Sequence, residues 1–295
     1  MLLDYVSFKG KCNHRGEKMI YFWQEVYNFC WQITHRIGEK LLEDFAKLEA
    51  TRKSDGSLVT EADKWADSEF RKAIRQCFPT HGILTEETEH ILPYTDWCWV
   101  IDPIDGTTNF TRGIPIWGIS IGLLYQGIPV FGFVHFPQIQ QTYHGYFCEN
   151  THLSSPKGAY LNNTRIYTSH DQPSFNHVFM LCNRSLDILQ HNLPCKIRIT
   201  GVTSYDIISV ACGATLGVIE ASPKIWDIAG AYPILRAAGG NLVHLEQKVS
   251  FPLTKGLNYG EVSFPCLAVA RDNLIPIFQP FTEFINKKEL ITHNQ

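Results

Sequence analysis

The sequence predicts a mixed α/β fold of the α+β kind, on three observations. Two helical patterns open the chain, a succession of short apolar runs follows them, and helices then alternate with further strands to the end. The chain has 295 residues, 44% hydrophobic and 13% aromatic, with 26 basic and 29 acidic side chains for a net charge of −3. At about 150 residues per domain this is two packed units or one large mixed domain, long enough to bury a sizeable core. Disorder, collagen and coiled coil are excluded.

The elements follow in order. From Phe22 the residues Phe22, Val26, Phe29, Ile33, Ile37, Leu41, Phe45 and Leu48 recur every three or four positions, which predicts a long amphipathic helix. A polar link at 52–60 leads to a second helix through Trp65, Phe70, Ala73, Ile74 and Cys77, ended by Pro79. Runs at 82–85, 97–101, 118–125, 129–136 and 142–147, divided by glycine, proline and polar breaks, predict strands, several of them antiparallel neighbours. The second half predicts a strand at 178–182, a helix at 205–213 and a strand at 217–220. A helix at 228–238 closed by Gly239 and Gly240 comes next, then a strand at 267–271 and a last helical turn or two. No repeat, low-complexity tract or composition shift marks a linker. Residues 19–285 therefore read as a single catalytic unit with approximate halves 19–160 and 161–285. Residues 1–18 read as an N-terminal extension, or as the result of a start codon placed upstream, and 286–295 as a tail.

Charge and cysteine usage exclude several classes. No dense Lys/Arg run offers the counterion-releasing surface of a nucleic-acid binder. Nine cysteines, an odd number with no C-x-x-C pair, fit reduced and mostly buried thiols. No apolar run of about eighteen residues predicts a membrane span, and the first residues lack a signal-peptide core. The expected location is the cytoplasm. The twelve histidines form no H-E-x-x-H, no serine elbow G-x-S-x-G is present, and no G-x-G-x-x-G follows a strand. Zinc peptidase, serine hydrolase and NAD-binding chemistries lose their support. Most histidines read as surface or loop groups, and Trp97, Trp99 and Trp117 as core.

Chemistry concentrates at 99–110, where an apolar strand runs into Asp102-Pro103-Ile104-Asp105-Gly106-Thr107-Thr108-Asn109. Two aspartates at the end of a hydrophobic strand cannot both be buried and ionised without a compensating charge, and they call for a hard cation such as Mg²⁺. Pro103 stiffens the turn between them, Gly106 admits close backbone approach, and Thr107 opens a helical turn whose free N–H groups face an anion. Cation plus anion-binding amides point to phosphate.

This run, with Thr85-Glu86-Glu87 upstream and Trp226-Asp227-Ile228-Ala229-Gly230 downstream, resembles the signatures of the inositol monophosphatase family of Mg²⁺-dependent, Li⁺-sensitive phosphatases. The segment from Lys53 to Asp63 adds a fourth match, and the resemblance spans about residues 22 to 275. It implies a layered αβαβα sandwich of the inositol monophosphatase and fructose bisphosphatase type, two or three Mg²⁺ ions, and a homodimer. It implies that Glu86, Asp102, Asp105, Asp227 and the main-chain carbonyl of Ile104 are metal ligands. Glu86 with Thr107 is implied to orient and deprotonate the attacking water, with Asp63 at a further metal position beside them. Gly106 and Thr107 amides are implied to bind phosphate, and Glu220, with Thr203 in the neighbouring turn, the substrate hydroxyls.

Local explanations stand beside these roles. Thr60-x-x-Asp63 is a capping box, which accounts for Asp63 as well as a metal role does and is compatible with it. Asp227 ahead of a helix at Ile228 is also an N-cap, Glu86 and Glu87 are also surface charges, and Asp102 and Asp105 an Asx-turn. The Asx-turn leaves Gly106 and Thr107 unexplained.

The substrate side departs from the family. Gly201-Val202-Thr203-Ser204 stands where inositol phosphatases carry a smaller G-S-A-A turn, and Lys224 where they often carry histidine, a cation that would favour a second negative charge on the substrate. The expected activity is hydrolysis of myo-inositol monophosphate. The alternatives are the same mechanism on a sugar bisphosphate, a 3'-phosphonucleotide or histidinol phosphate, or a regulatory protein that keeps the fold without catalysis.

Overall fold

The structure is a computed structural model, described here over residues 15–53, 58–149, 151–185, 193–246 and 250–282. The expected extension at 1–18 lies outside these residues up to 14, and so does the expected tail at 286–295.

Helix α1 spans Arg15–Asp44. It starts earlier than the apolar pattern suggests and ends before Phe45 and Leu48. The chain leaves it through Ala46 at φ 59, and Phe45 meets Phe110 edge-on and stacks on Trp117. Its buried stripe is Trp23, Val26, Cys30, Ile33, Ile37 and Leu41. A two-residue ladder, β1 (Thr51–Arg52) with β2 (Leu58–Val59), precedes α2 (Glu61–Cys77). Thr60 caps α2, and its side chain and backbone exchange hydrogen bonds with Asp63 as the T-x-x-D spacing predicts.

Seven strands then form one sheet in chain order: β3 (Gly82–Thr85), β4 (Trp97–Asp105), β5 (Gly118–Tyr125), β6 (Ile128–Phe136), β7 (Gln141–Tyr146), β8 (Gly158–Leu161) and β9 (Thr164–Ile166). Only β3 and β4 pair in parallel; the other neighbours are antiparallel. The short helix α3 (Thr107–Arg112) sits between β4 and β5.

The second sheet has the order β11 (Lys196–Arg198), β10 (Val178–Leu181), β12 (Gly217–Glu220), β14 (Cys266–Val269), β13 (Asn241–His244). Strands β10, β11 and β12 are parallel, and β14 runs against both its neighbours. Helices α4 (Thr203–Ala211), α5 (Ile225–Ala229) and α6 (Ala231–Ala238) pack between the sheets. Helices α1 and α2 cover the outer face of the seven-stranded sheet, and α7 (Ile275–Phe278) lies on the far side of the second, where Phe278 meets Phe179. The five layers are helix, sheet, helix, sheet, helix, as expected.

The expected helix at 228–238 is two helices that meet at Gly230. A Cβ at Gly230 would lie 2.5 Å from Ser120 Oγ, so only glycine lets the joint touch the sheet. Opposite it, Gly122, Gly132 and Gly145 form a cross-strand row on β5, β6 and β7. A Cβ at Gly132 would come within 1.9 Å of the Gly230 carbonyl. This row lets the end of α5, the joint and the start of α6 lie directly against the sheet.

Candidate active site

Strand β4 does not stop at Ile101. It continues through Pro103 to Asp105, with a shift in register against β5 between Asp102 and Asp105. Instead of a turn between the aspartates there is an irregular strand end. Asp102 keeps one carboxylate oxygen on the Ile104 amide at 3.0 Å, and Asp105 accepts the Ser204 amide of α4 at 2.7 Å. Gly106 then takes φ 93 to start α3, a conformation costly for a side chain, and a Cβ there would also meet Val202 at 2.7 Å.

Glu86 follows β3 directly, and its amide bonds the Ile101 carbonyl, so the parallel pair delivers it beside Asp102. Asp227 arrives from the other sheet. It is the third residue of α5, not the cap expected ahead of Ile228, and its carboxylate accepts the Lys224 amide at 2.7 Å. Ser120, the β5 partner of Asp102, donates to the Trp226 carbonyl at 3.3 Å and so ties α5 to that strand end. Asp102 lies in hydrogen-bonding contact with both Glu86 and Asp227.

Four carboxyls thus converge, Asp102 and Asp105 buried and Glu86 and Asp227 half-buried. Burial, then the charges of Glu86, Asp105 and Asp227, pushes Asp102 well above the carboxylate range. Burial and the Asp105 and Glu86 charges do the same to Asp227. Asp105 is pushed up by burial to about 6, against hydrogen bonds from Ser204. Glu86 is raised by burial, in part offset by Lys53, whose ammonium bonds Glu86 at 2.8 Å and Glu87 at 2.6 Å.

Thr107, the first residue of α3, points its hydroxyl at Asp63 Oδ1 and at the Ile104 carbonyl, each 3.2 Å away. The capping box and the site therefore share Asp63, whose carboxyl burial pushes up to about 6. The structure brings Thr107 to Asp63, while Glu86 turns to Lys53 and Asp102. On the opposite wall Thr203 Oγ1 donates to Glu220 Oε2 at 3.3 Å, and Glu220 is buried with its carboxyl pushed well up, first by burial. Lys224 turns away, its ammonium on the Gly260 carbonyl at 2.7 Å.

Lys53 and Ser204 enter the sequence patterns only as ends of the segments Lys53–Asp63 and Gly201–Ser204, with no role attached, and His90 does not enter them. His90 bonds the Glu86 carbonyl at 2.8 Å and stacks on Trp226, joining two of the carboxylate-bearing segments. The signal for Lys53 is its place at the head of the Lys53–Asp63 segment; Ser204 acts through its backbone amide, which leaves none. Buried His135 and His144 on β6 and β7 correct the expectation of surface histidines in their case.

The donor set is all oxygen, which suits hard cations such as Mg²⁺, Mn²⁺ or Ca²⁺ over thiolate-seeking metals. Among the described residues no three His, Cys, Asp or Glu side chains are already spread as a cage around one point. The fit lies in the chemistry: crowded, buried carboxyls are relieved by a cation among them.

A five-layer sandwich with an acidic site at the strand ends defines a class of fold shared with solved proteins. The extragenic suppressor protein SuhB from Bartonella henselae superposes with a TM-score of 0.72 at 24% identity, over 88% of this chain and 98% of that one. The family model for inositol monophosphatases matches residues 23–275, and the chain belongs to that family of phosphate-monoester hydrolases. It is 35% identical to an inositol-1-monophosphatase of Synechocystis over 198 residues, 63% of this chain and 66% of that protein. It is 30% identical over 218 residues to a fructose-1,6-bisphosphatase/inositol-1-monophosphatase of Aquifex aeolicus, 69% of this chain and 79% of that one.

Proposed function

We propose that the protein is a Mg²⁺-dependent phosphomonoesterase that hydrolyses myo-inositol monophosphate to inositol and phosphate. The observation that carries this is the row Glu86, Asp102, Asp227 and Asp105 set beside the Thr107–Asp63 hydrogen bond. Glu86, Asp102, Asp105, Asp227 and the Ile104 carbonyl would hold Mg²⁺. Bound there, the ion supplies positive charge to the phosphate and makes nearby water more acidic.

The protein's own groups do the rest. The first amides of α3, at Gly106 and Thr107, have no intrahelical acceptor and take phosphoryl oxygens. Thr107 Oγ1 receives the proton of the attacking water and passes its own to Asp63 Oδ1. The water oxygen bonds phosphorus as the ester P–O bond breaks, and a second water protonates the departing alkoxide, the hydroxide it leaves being neutralised as Asp63 gives up its proton to solvent. Glu220 and Thr203 take hydroxyls of the alcohol. Positioning and charge dominate because phosphoryl transfer leaves the protein little covalent work.

Phosphate release from a panel of esters tests this, where a tenfold preference in kcat/KM corresponds to about 1.4 kcal/mol. Efficient, EDTA-sensitive turnover of inositol monophosphate supports the proposal. No release from any ester at millimolar Mg²⁺, with a stable protein partner captured instead, favours the regulatory alternative. The dual name of the Aquifex relative puts a sugar bisphosphate in the panel, and histidinol phosphate and a 3'-phosphonucleotide belong there too. Li⁺ inhibition, a cytoplasmic location and a homodimer complete the proposal. Among the described residues no helix is long and apolar enough to cross a membrane, and the eight described cysteines are free thiols.

A further inference from the structure

Behind Glu220 lies a residue that neither the sequence motifs nor the metal-ligand row includes. Asp206, in the first turn of α4, is fully buried. One of its carboxylate oxygens accepts the Thr200 hydroxyl, and among the described residues no N–H or O–H donor reaches the other. The group in hydrogen-bonding contact with it is another carboxyl, that of Glu220. Glu220 is itself 3% exposed, with one oxygen on Thr203.

Two buried carboxyls in contact are stable only with a proton between them. After burial itself, the carboxyls that act on either are acidic neighbours: Asp105 on Asp206, and Asp206, Asp105 and Asp227 on Glu220. The cation that sequence places nearest, Lys224, is spent on the Gly260 carbonyl. An unpaired buried donor or acceptor is costly, so the proton stays and both carboxyls are fixed in orientation. Thr203 and Asp206, three residues apart on one face of α4, both reach Glu220.

We propose that Asp206 is a positioning residue that sets substrate specificity: by the hydrogen bond it shares with Glu220 it aims that carboxyl at the hydroxyls of the substrate alcohol. The wall it builds is rich in acceptors and carries no free cation among its named members. It takes an alcohol bearing hydroxyl donors and works against a second phosphate there. This rests on the reading above that Glu220 faces the alcohol, and it goes further in naming the group that aims it and the charge it refuses.

The test compares kcat/KM for inositol monophosphate with that for 4-nitrophenyl phosphate, which has no hydroxyls to read, at saturating Mg²⁺. Asp206→Ala, or Asp206→Leu of similar shape should alanine fail to fold, lowers the ratio of the two efficiencies about tenfold through KM for the polyol ester. Asp206→Asn, whose amide donates to Glu220 in place of the shared proton, keeps the ratio within about threefold. A ratio unchanged in the Ala and Leu variants, or lost equally in Asn, overturns the proposal. So does a wild-type enzyme that turns over fructose 1,6-bisphosphate as efficiently as inositol monophosphate. Absence of Mg²⁺-dependent turnover of every ester by the wild type would instead strike the proposed function itself.

Discussion

On the outer face of the seven-stranded sheet, under α1 and α2, burial serves packing. Phe131, Phe133 and Trp99 are fully covered, and titratable groups that share this face are held neutral: burial pushes His144 down to about 4, and burial with the neighbouring His35 pushes His135 down to about 3. At the strand ends where α5 meets β4, burial is applied to carboxyls instead. Asp63 and Asp105 rise to about 6, and Asp102, Asp227 and Glu220 further. The same physical cost, removing charge from water, is answered on one face by neutrality. On the other it is left standing as an affinity for cations. One region should therefore govern stability and the other turnover, and mutations separate them.

The largest effect is expected at the strand end. Asp105→Asn keeps an oxygen for the Ser204 amide but removes a charge, so kcat should fall about a thousandfold while the melting temperature holds or rises. Near wild-type Mg²⁺-dependent hydrolysis by the purified variant would end the carboxylate mechanism. On the outer face, Phe131→Ala should cost about 3–5 kcal/mol in denaturant unfolding and leave kcat per folded molecule within about twofold. A matching loss of kcat would show the faces to be coupled.

What the sequence made legible divides along the same line. Motif residues are local and were readable: Asp102, Asp105 and Thr107 lie within six positions, and the Thr60–Asp63 box within four. The helices α1 and α2 and the strands β3 to β7 carried enough periodicity to be placed. Strands β8, β9, β11 and β13 did not, because edges of three or four residues such as Thr164–Ile166 and Lys196–Arg198 are largely exposed and mixed in polarity. The break at Gly230 depends on the approach of Ser120, over a hundred residues away, and the pairing of Asp206 with Glu220 on packing between α4 and β12. Neither leaves a spacing to read.

The site side makes a smaller prediction through pH. A carboxyl raised in the folded state stabilises it below the ordinary value near 3.8, and that contribution is lost as pH rises through about 6 for Asp63 and Asp105. Mg²⁺ binds the ionised form, so it should raise the melting temperature more at pH 7 than at pH 5, the increment growing with concentration toward about 3 kcal/mol at a hundredfold excess over Kd. Thermal scans in EDTA and in Mg²⁺ at the two pH values check this. Equal increments would mean that the ion binds elsewhere.

The histidine layer has the opposite sign. His144 stacks on Tyr160 with ring centroids 4.9 Å apart and lies 4.7 Å from Tyr27, and among the described residues its ring makes no hydrogen bond that a ring of carbon would lose. Above pH 6.5 it is neutral folded or unfolded. As pH falls below that value the unfolded chain takes up a proton the folded state refuses until about 4, and stability drops. His144→Phe removes this proton sink while keeping the stack, so at pH 7 the variant should lie close to wild type. At pH 5.5 it should be more stable by about 1 kcal/mol, read from urea midpoints at both pH values. A variant equally displaced at the two pH values would show that His144 acts by shape alone, and that the acid sensitivity of the outer face belongs to His135, which a phenylalanine cannot replace because its ring nitrogen bonds Thr142 at 2.8 Å.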